Sequence, residues 1–231
     1  MARQEDRKQQ TRERLLTAAR QLFVSRGFDE TSFDDIARAA GVARQTAFNH
    51  FPRKDDFVTA WVAERRAAMQ SAMAAYDAGP SARRASAAAR LLVIMRVMAD
   101  DYEQRRDEGR VFIAAWVRSG GPIVEEPVAA HLFAGVVRDG QRDGEFVDDI
   151  DPKTAGDVIR AVYLDVLWRW AGPQNKVPVG GLFEALTAHL QPVLTGLCVE
   201  ADRLGLRRSI DFVRSLELTR LAAPGAEPPP E

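Results

Sequence analysis

Residues 31–57, TSFDDIARAAGVARQTAFNHFPRKDDF, constrain the fold of this chain more than any other stretch. The pattern is two short helices joined by a tight turn and followed by a third. Ile36, Ala37 and Ala40 share one helical face, and Val42, Ala47 and Phe51 return apolar groups to the same small core. Gly41 supplies a left-handed turn conformation that a side chain would resist. Small Ala37 lets the helices cross closely. Thr31 or Ser32 can cap the first helix, whose opening turn places Asp34 and Asp35 at the positive end of its dipole. Such a helix-turn-helix sets its second helix into the major groove of DNA.

At these residues the chain resembles the tetracycline-repressor (TetR) family, whose signature runs roughly Thr…Ile-Ala…Ala-Gly-Val…Thr-x-Tyr-x-His-Phe-x-x-Lys. The matching positions are Thr31, Ile36, Ala37, Ala40, Gly41, Val42, Thr46, His50, Phe51 and Lys54. A preceding helix with Leu15, Leu16, Ala19, Leu22 and Phe23, stopped around Gly27, fits as well. The resemblance covers about the first quarter of the chain, and the remainder agrees only in length and helical style. One departure matters. Phe48 stands where many relatives carry Tyr, and Asn49 where a second aromatic is common, so no hydroxyl is offered to phosphate at position 48. Phe48 is expected to pack inward or against sugars, leaving phosphate contacts to Thr46, His50, Lys54 and Asn49.

Charge follows the same division. The net charge of −1 is unusual for a DNA binder until it is split along the chain. Residues 1–54 hold 11 Lys/Arg against 7 Asp/Glu, a surplus of +4, which leaves −5 for the rest. A solvated face is the plainer reading of a charged N-terminus. Hydrophobic residues make up 46% of the chain, ample for a core. No run approaches the roughly 18 to 20 apolar residues of a membrane span, and no apolar secretory segment follows the charged start. A cytoplasmic protein without membrane attachment is expected. A lone cysteine, Cys198, builds neither a disulfide framework nor a thiolate metal site.

Beyond Pro52 the punctuation is helical. A long helix over 54–78, with Phe57, Val58, Trp61, Val62, Met69, Met73 and Tyr76, is the expected connector to a second domain. Leu91 to Tyr102, Phe112 to Val117 and Val124 to Val136 describe further helices. Asp151-Pro152 opens another that carries Val158, Val166, Trp168 and Trp170 on a broad apolar arc. The segment 182–199 is helical with Pro192 expected to kink or split it. A last helix runs from Leu206 to Leu216, and Ala222 to Glu231 reads as a disordered tail. The expected fold is all-α, with an N-terminal three-helix helix-turn-helix DNA-binding domain (1–54), a helical ligand-binding and dimerisation domain (55–221), and the tail (222–231).

Candidate DNA contacts are Ser32, Arg44, Gln45, Thr46, Asn49, His50 and Lys54. Arg44 can donate a bidentate pair to guanine and Gln45 can serve adenine, with a phosphate contact as the plainer role for Arg44. Lys54 is placed for phosphate at the head of the next helix. Candidate ligand-pocket residues are Met98, Tyr102, Trp116, Tyr163 and Trp168, with ordinary core as the plainer role for such a stripe. His131 and His189 lack metal-site spacing, and Glu125-Glu126 and Asp148, Asp149 and Asp151 read as caps and solvated groups. No phosphate loop, nucleophile elbow or Cys/His pair is present, so neither a catalytic residue nor a cofactor or metal is expected.

The resemblance implies a homodimeric regulator of operator DNA, most simply a repressor released by a small-molecule effector of unknown identity. It also implies that helices 152–170 and 182–199 pair with their twins in a four-helix bundle, with Val166 and Leu194 as interface positions. Two alternatives remain open: a factor of the same fold controlled by a protein partner or by no ligand, and a ligand-binding module or enzyme that has lost DNA binding.

Overall fold

Apolar residues recur at helical spacing from Leu15 to Val213, and in the computed structural model this pattern becomes ten α-helices among the described residues, 2–82, 85–121, 128–172, 177–199 and 203–215. They are α1 (Ala2–Arg26), α2 (Phe33–Ala39), α3 (Arg44–His50), α4 (Asp55–Ala78), α5 (Ala87–Gln104), α6 (Arg106–Arg118), α7 (Val128–Arg142), α8 (Pro152–Ala171), α9 (Leu182–Leu197) and α10 (Arg203–Ser215). Extended pairing among the described residues is one isolated antiparallel bridge, Phe146 to Cys198. The segment expected to be a disordered tail lies outside the described residues, as do Glu125 and Glu126. No helix of the described residues is long and apolar enough to cross a membrane.

The chain divides into two compact units, Met1–Arg65 with Arg105–Glu125, and Arg66–Gln104 with Glu126–Glu231. The expected boundary at residue 54 therefore differs from the division that packing makes: α4 runs through both units, and α6 joins the first.

In the first unit an aromatic core explains that membership. Phe23 lies 4.9 Å from Phe28 and 5.4 Å from Phe112 between ring centroids, Phe51 stacks on Phe57 at 4.1 Å, and Trp61 stacks on Phe112 at 5.0 Å. Phe112 is α6's contribution, and burying such a ring stabilises by about 1.5–3 kcal/mol. Polar contacts lock the same helix. The Trp61 indole donates to Glu108, Arg20 pairs with Glu64 and lies 3.6 Å from Glu108, and Arg118 meets Asp29 at 3.0 Å.

In the second unit α7 and α8 cross closely because Gly156 has no side chain; a Cβ there would stand 2.5 Å from the Ala130 carbonyl. Asp151 caps α8 as its sequence predicts, accepting from the Thr154 amide at 2.9 Å, and this bond holds the Asp151 carboxyl below its usual range. Glu145 accepts from the amides of Ala87 and Ala88 at the start of α5, and Val147 donates to the Leu197 carbonyl at 2.8 Å, so the loop after α7 staples two helix ends. Helix α9 is one element and is not split at Pro192. That residue and Ala188 are exposed, so water can serve the carbonyl that the missing N–H leaves. Leu206, Ile210 and Val213 bury the inner face of α10, and Arg214 pairs with Glu184 of α9.

Candidate nucleic-acid interface

Ser32, rather than Thr31, is the cap of α2. Its hydroxyl accepts from the Asp35 amide at 3.1 Å and donates to the Asp35 carboxylate at 2.6 Å, while the Ser32 amide completes the capping box. The Ser32 hydroxyl and then its amide hold the Asp35 carboxyl below its usual range. The Ser32 hydroxyl, a DNA-contact candidate, is thus engaged within the cap. Thr31 is buried and donates to the Gly27 carbonyl at 2.8 Å.

The turn has the conformation its glycine predicts, with Gly41 at φ +64°. Arg14 of α1 donates to the carbonyls of Ala40 and Gly41, and a Cβ on Gly41 would stand 2.9 Å from its guanidinium nitrogen. This clamp sets the angle at which α3 leaves α2. Ala47 and Phe51 bury the inner side of α3, so Arg44, Gln45, Thr46 and Asn49 are left exposed on the outer side. Four of the candidate residues therefore share one solvent-facing surface. Arg44 meets Asp34 at 3.1 Å and Gln45 donates to Asn49 at 3.1 Å. With both partners well exposed, the Arg44–Asp34 pair contributes under about 1 kcal/mol and exchanges readily for another acceptor. Phe48 does not pack inward. It is 50% exposed, with its edge against Phe33 at 6.3 Å between centroids.

Lys54 has a different position from the one its place in the sequence suggests. Its ammonium donates to the carbonyls of Phe28 (2.8 Å) and Thr31 (3.2 Å) and sits 4.2 Å from the Phe28 ring centroid. It pins the loop before α2 rather than standing free for phosphate. Replacing it with Ala strands two carbonyls and a ring contact, so Lys54→Ala is expected to lower stability by about 1–3 kcal/mol, read by thermal unfolding.

His50 closes α3 beside α1. Burial, then the positive charges of Lys8 and Arg12, hold its pKa below the usual histidine value. Lys8 and Arg12 line a cleft of about 550 Å³ with Glu5, Asp6, Gln9, Asn49 and His50. In the sequence these α1 cations stand out only as part of a general positive surplus. The signal for them was there: residues 5, 8, 9 and 12 lie on the helical stripe that continues into Leu15, Leu16 and Ala19.

The five pocket candidates are dispersed. Tyr102 and Tyr163 stand together in the second unit, where burial first and Tyr102 second push the Tyr163 phenol well above its ordinary pKa. Met98 is half-buried one turn before Tyr102. Trp168 turns to solvent, 41% exposed, and so is not an interior residue of its unit. Trp116 belongs to the first unit, its indole where a Cβ on Gly121 would come within 2.0 Å. Val166 and Leu194, expected at a subunit interface, are 3% and 1% exposed and form protomer core; the exposed large apolar side chains of α8 are Val158 and Trp168.

A capped first helix, a glycine turn and a second helix with one buried and one polar outer face define a helix-turn-helix domain of the DNA-binding class. The family model for bacterial regulatory proteins of the tetR family matches residues 15–60, the helix-turn-helix domain of this chain. The chain is 38% identical over 58 residues to the HTH-type transcriptional regulator SrpR of Pseudomonas putida, a match covering 25% of this chain and 27% of SrpR, so only about a quarter of the relative's length is spanned. The fold of a larger part is shared with solved structures. The crystal structure of Thermus thermophilus FadR, a TetR-family transcriptional repressor in complex with lauroyl-CoA, aligns at a TM-score of 0.63 with 24% identity over 82% of this chain and 96% of that one. A gamma-butyrolactone receptor (ArpA-like protein) aligns at 0.59 with 19% identity over 94% and 98%.

Proposed function

We propose that the protein is a homodimeric transcriptional repressor that reads two operator half-sites with α3 and leaves them when a small-molecule effector binds the second unit. The observation that carries the reading is the outer face of α3, where Arg44, Gln45, Thr46 and Asn49 are exposed on a helix whose inner face is fixed by Ala47 and Phe51. Such a helix is too short to supply affinity alone, so a two-fold dimer with half-sites about 34–36 Å apart is the natural solution. Arg44 and Gln45 sit in the first turn of α3, the end that reaches base edges in this motif.

FadR, solved with lauroyl-CoA, and the butyrolactone receptor are ligand-responsive relatives in fold, and they support an effector for this chain. Tyr102 beside Trp170 and Tyr163 beside Phe133 join aromatic surface to phenol groups, the kind of lining a pocket for a mostly apolar molecule requires. An effector acts only through a higher affinity for the DNA-incompetent arrangement, and α4, continuous through both units, is the covalent route for that coupling.

Selection of bound duplexes from a randomised pool tests the reading: enrichment of a two-fold symmetric site supports it, and no enrichment overturns it. With the site in hand, Arg44→Ala is expected to cost about 1–3 kcal/mol per half-site and to relax preference at particular base pairs. Equal weakening on all duplexes, measured by titration, would make Arg44 a phosphate contact.

A further inference from the structure

Helix α1 extends well beyond the core it serves. From Leu15 onward its inner stripe is apolar and buried, with Leu15, Ala19 and Phe23 fully enclosed. The same stripe continues toward the N-terminus as Arg12, which covers the Phe51 ring, and then as Gln9, Lys8 and Glu5, all exposed. About three turns of helix are therefore maintained past the point where packing needs them, and they run alongside the end of α3, with the open cleft between.

Two features of that cleft point to an anion. Arg12 is held in place, its guanidinium 4.3 Å from the centroid of the Phe51 ring, the residue next to His50. Donors converge from both walls: Lys8, Gln9 and Arg12 from α1, and Asn49 and His50 from α3. Glu5 and Asp6 also line it, so the Lys8 and Arg12 charges are offset at the cleft itself, and the positive surplus of the first twelve residues comes from Arg3 and Arg7 outside the lining.

We propose that α1 and the C-terminal end of α3 together form a seat for one DNA backbone phosphate, held by Lys8 and Arg12 on one wall and by Asn49 and His50 on the other. This rests on the DNA-binding reading above and adds the N-terminal arm to its footprint. Proton linkage follows from the position of His50. The charged groups facing it are Glu5, Asp6, Lys8 and Arg12, all from α1, and the two cations disfavour its protonated form in the free protein. A phosphate between them removes that repulsion and favours the imidazolium, so the bound-state pKa lies above the free-state one. DNA binding then takes up a proton. Affinity is full below the free-state pKa and falls as pH rises toward the bound-state value, by at most about tenfold per pH unit per subunit.

The test uses the full chain and the duplex recovered by selection. In wild type, affinity should fall on raising the pH from about 5.5 to 8, and His50→Gln, which keeps a donor, should abolish that slope. Lys8→Ala, at an exposed residue, should make the log–log salt slope shallower by about one contact per subunit, whereas Arg12→Lys, which keeps the charge, should not. The imidazole C–H resonances of His50 should titrate to a higher pH in the complex. Tight, salt-dependent binding that is indifferent to pH and to Lys8→Ala would overturn the seat while leaving the DNA-binding reading intact. Failure to bind any selected duplex would overturn both.

Discussion

A protein carrying Val158→Asp together with Trp168→Asp should remain folded, sediment as a monomer, and bind its operator about 10²- to 10⁴-fold more weakly than wild type. The two side chains are 45% and 41% exposed on α8, so charges placed there stay hydrated in the protomer and leave its core untouched. In a dimer they would be buried without partners, which costs several kcal/mol and removes the bivalency that joins two weak half-sites. Val166→Asp and Leu194→Asp are the contrast: both positions are core, and charges there should unfold the protomer itself. Analytical ultracentrifugation and thermal unfolding of the two sets separate the outcomes. A stable dimer in the double variant would remove this face of α8 from the interface.

The second large effect concerns Gly156. An added Cβ would meet the Ala130 carbonyl at 2.5 Å and the Ala134 amide nitrogen at 2.8 Å, both backbone atoms that no rotamer change can move aside. Gly156→Val must therefore push α7 and α8 apart, with a loss of about 3 kcal/mol or more in unfolding free energy by denaturant titration. A change below about 1 kcal/mol would mean that the crossing is less tight than described.

What could be read from the sequence was what neighbouring residues decide among themselves. The α2 turn, the Gly41 conformation and the Asp151-Pro152 helix start each depend on groups within a few positions, and each is present in the structure. Which face of α3 is left outside was legible for the same reason, because Ala47 and Phe51 fix the buried side. Partnership at long range was not legible. The periodic apolar residues of α6 say that it buries a face but not against what, and only the contacts of Phe112 with Phe23 and Trp61 place it with the helix-turn-helix.

Its position at the head of α4 points Lys54 to phosphate, yet a long side chain can turn back, and its ammonium reaches two carbonyls upstream. The broad arc of α8 held both core and exposed apolar residues, and spacing alone did not sort Val166 from Val158. Pairing of Phe146 with Cys198 joins segments far apart in sequence with no β pattern in either.

In the proposed function the outer face of α3 reads a specific duplex while cations around it hold the phosphates. That function is tested most directly by titrating the full chain with its selected duplex and with a scrambled one, from about 50 to 300 mM salt. With roughly 3 to 4 phosphates per subunit, the selected duplex should give a log–log slope of about −5 to −7 and a preference of at least about 10³ over the scrambled one. Equal affinity for the two duplexes, or a slope near zero, would contradict it.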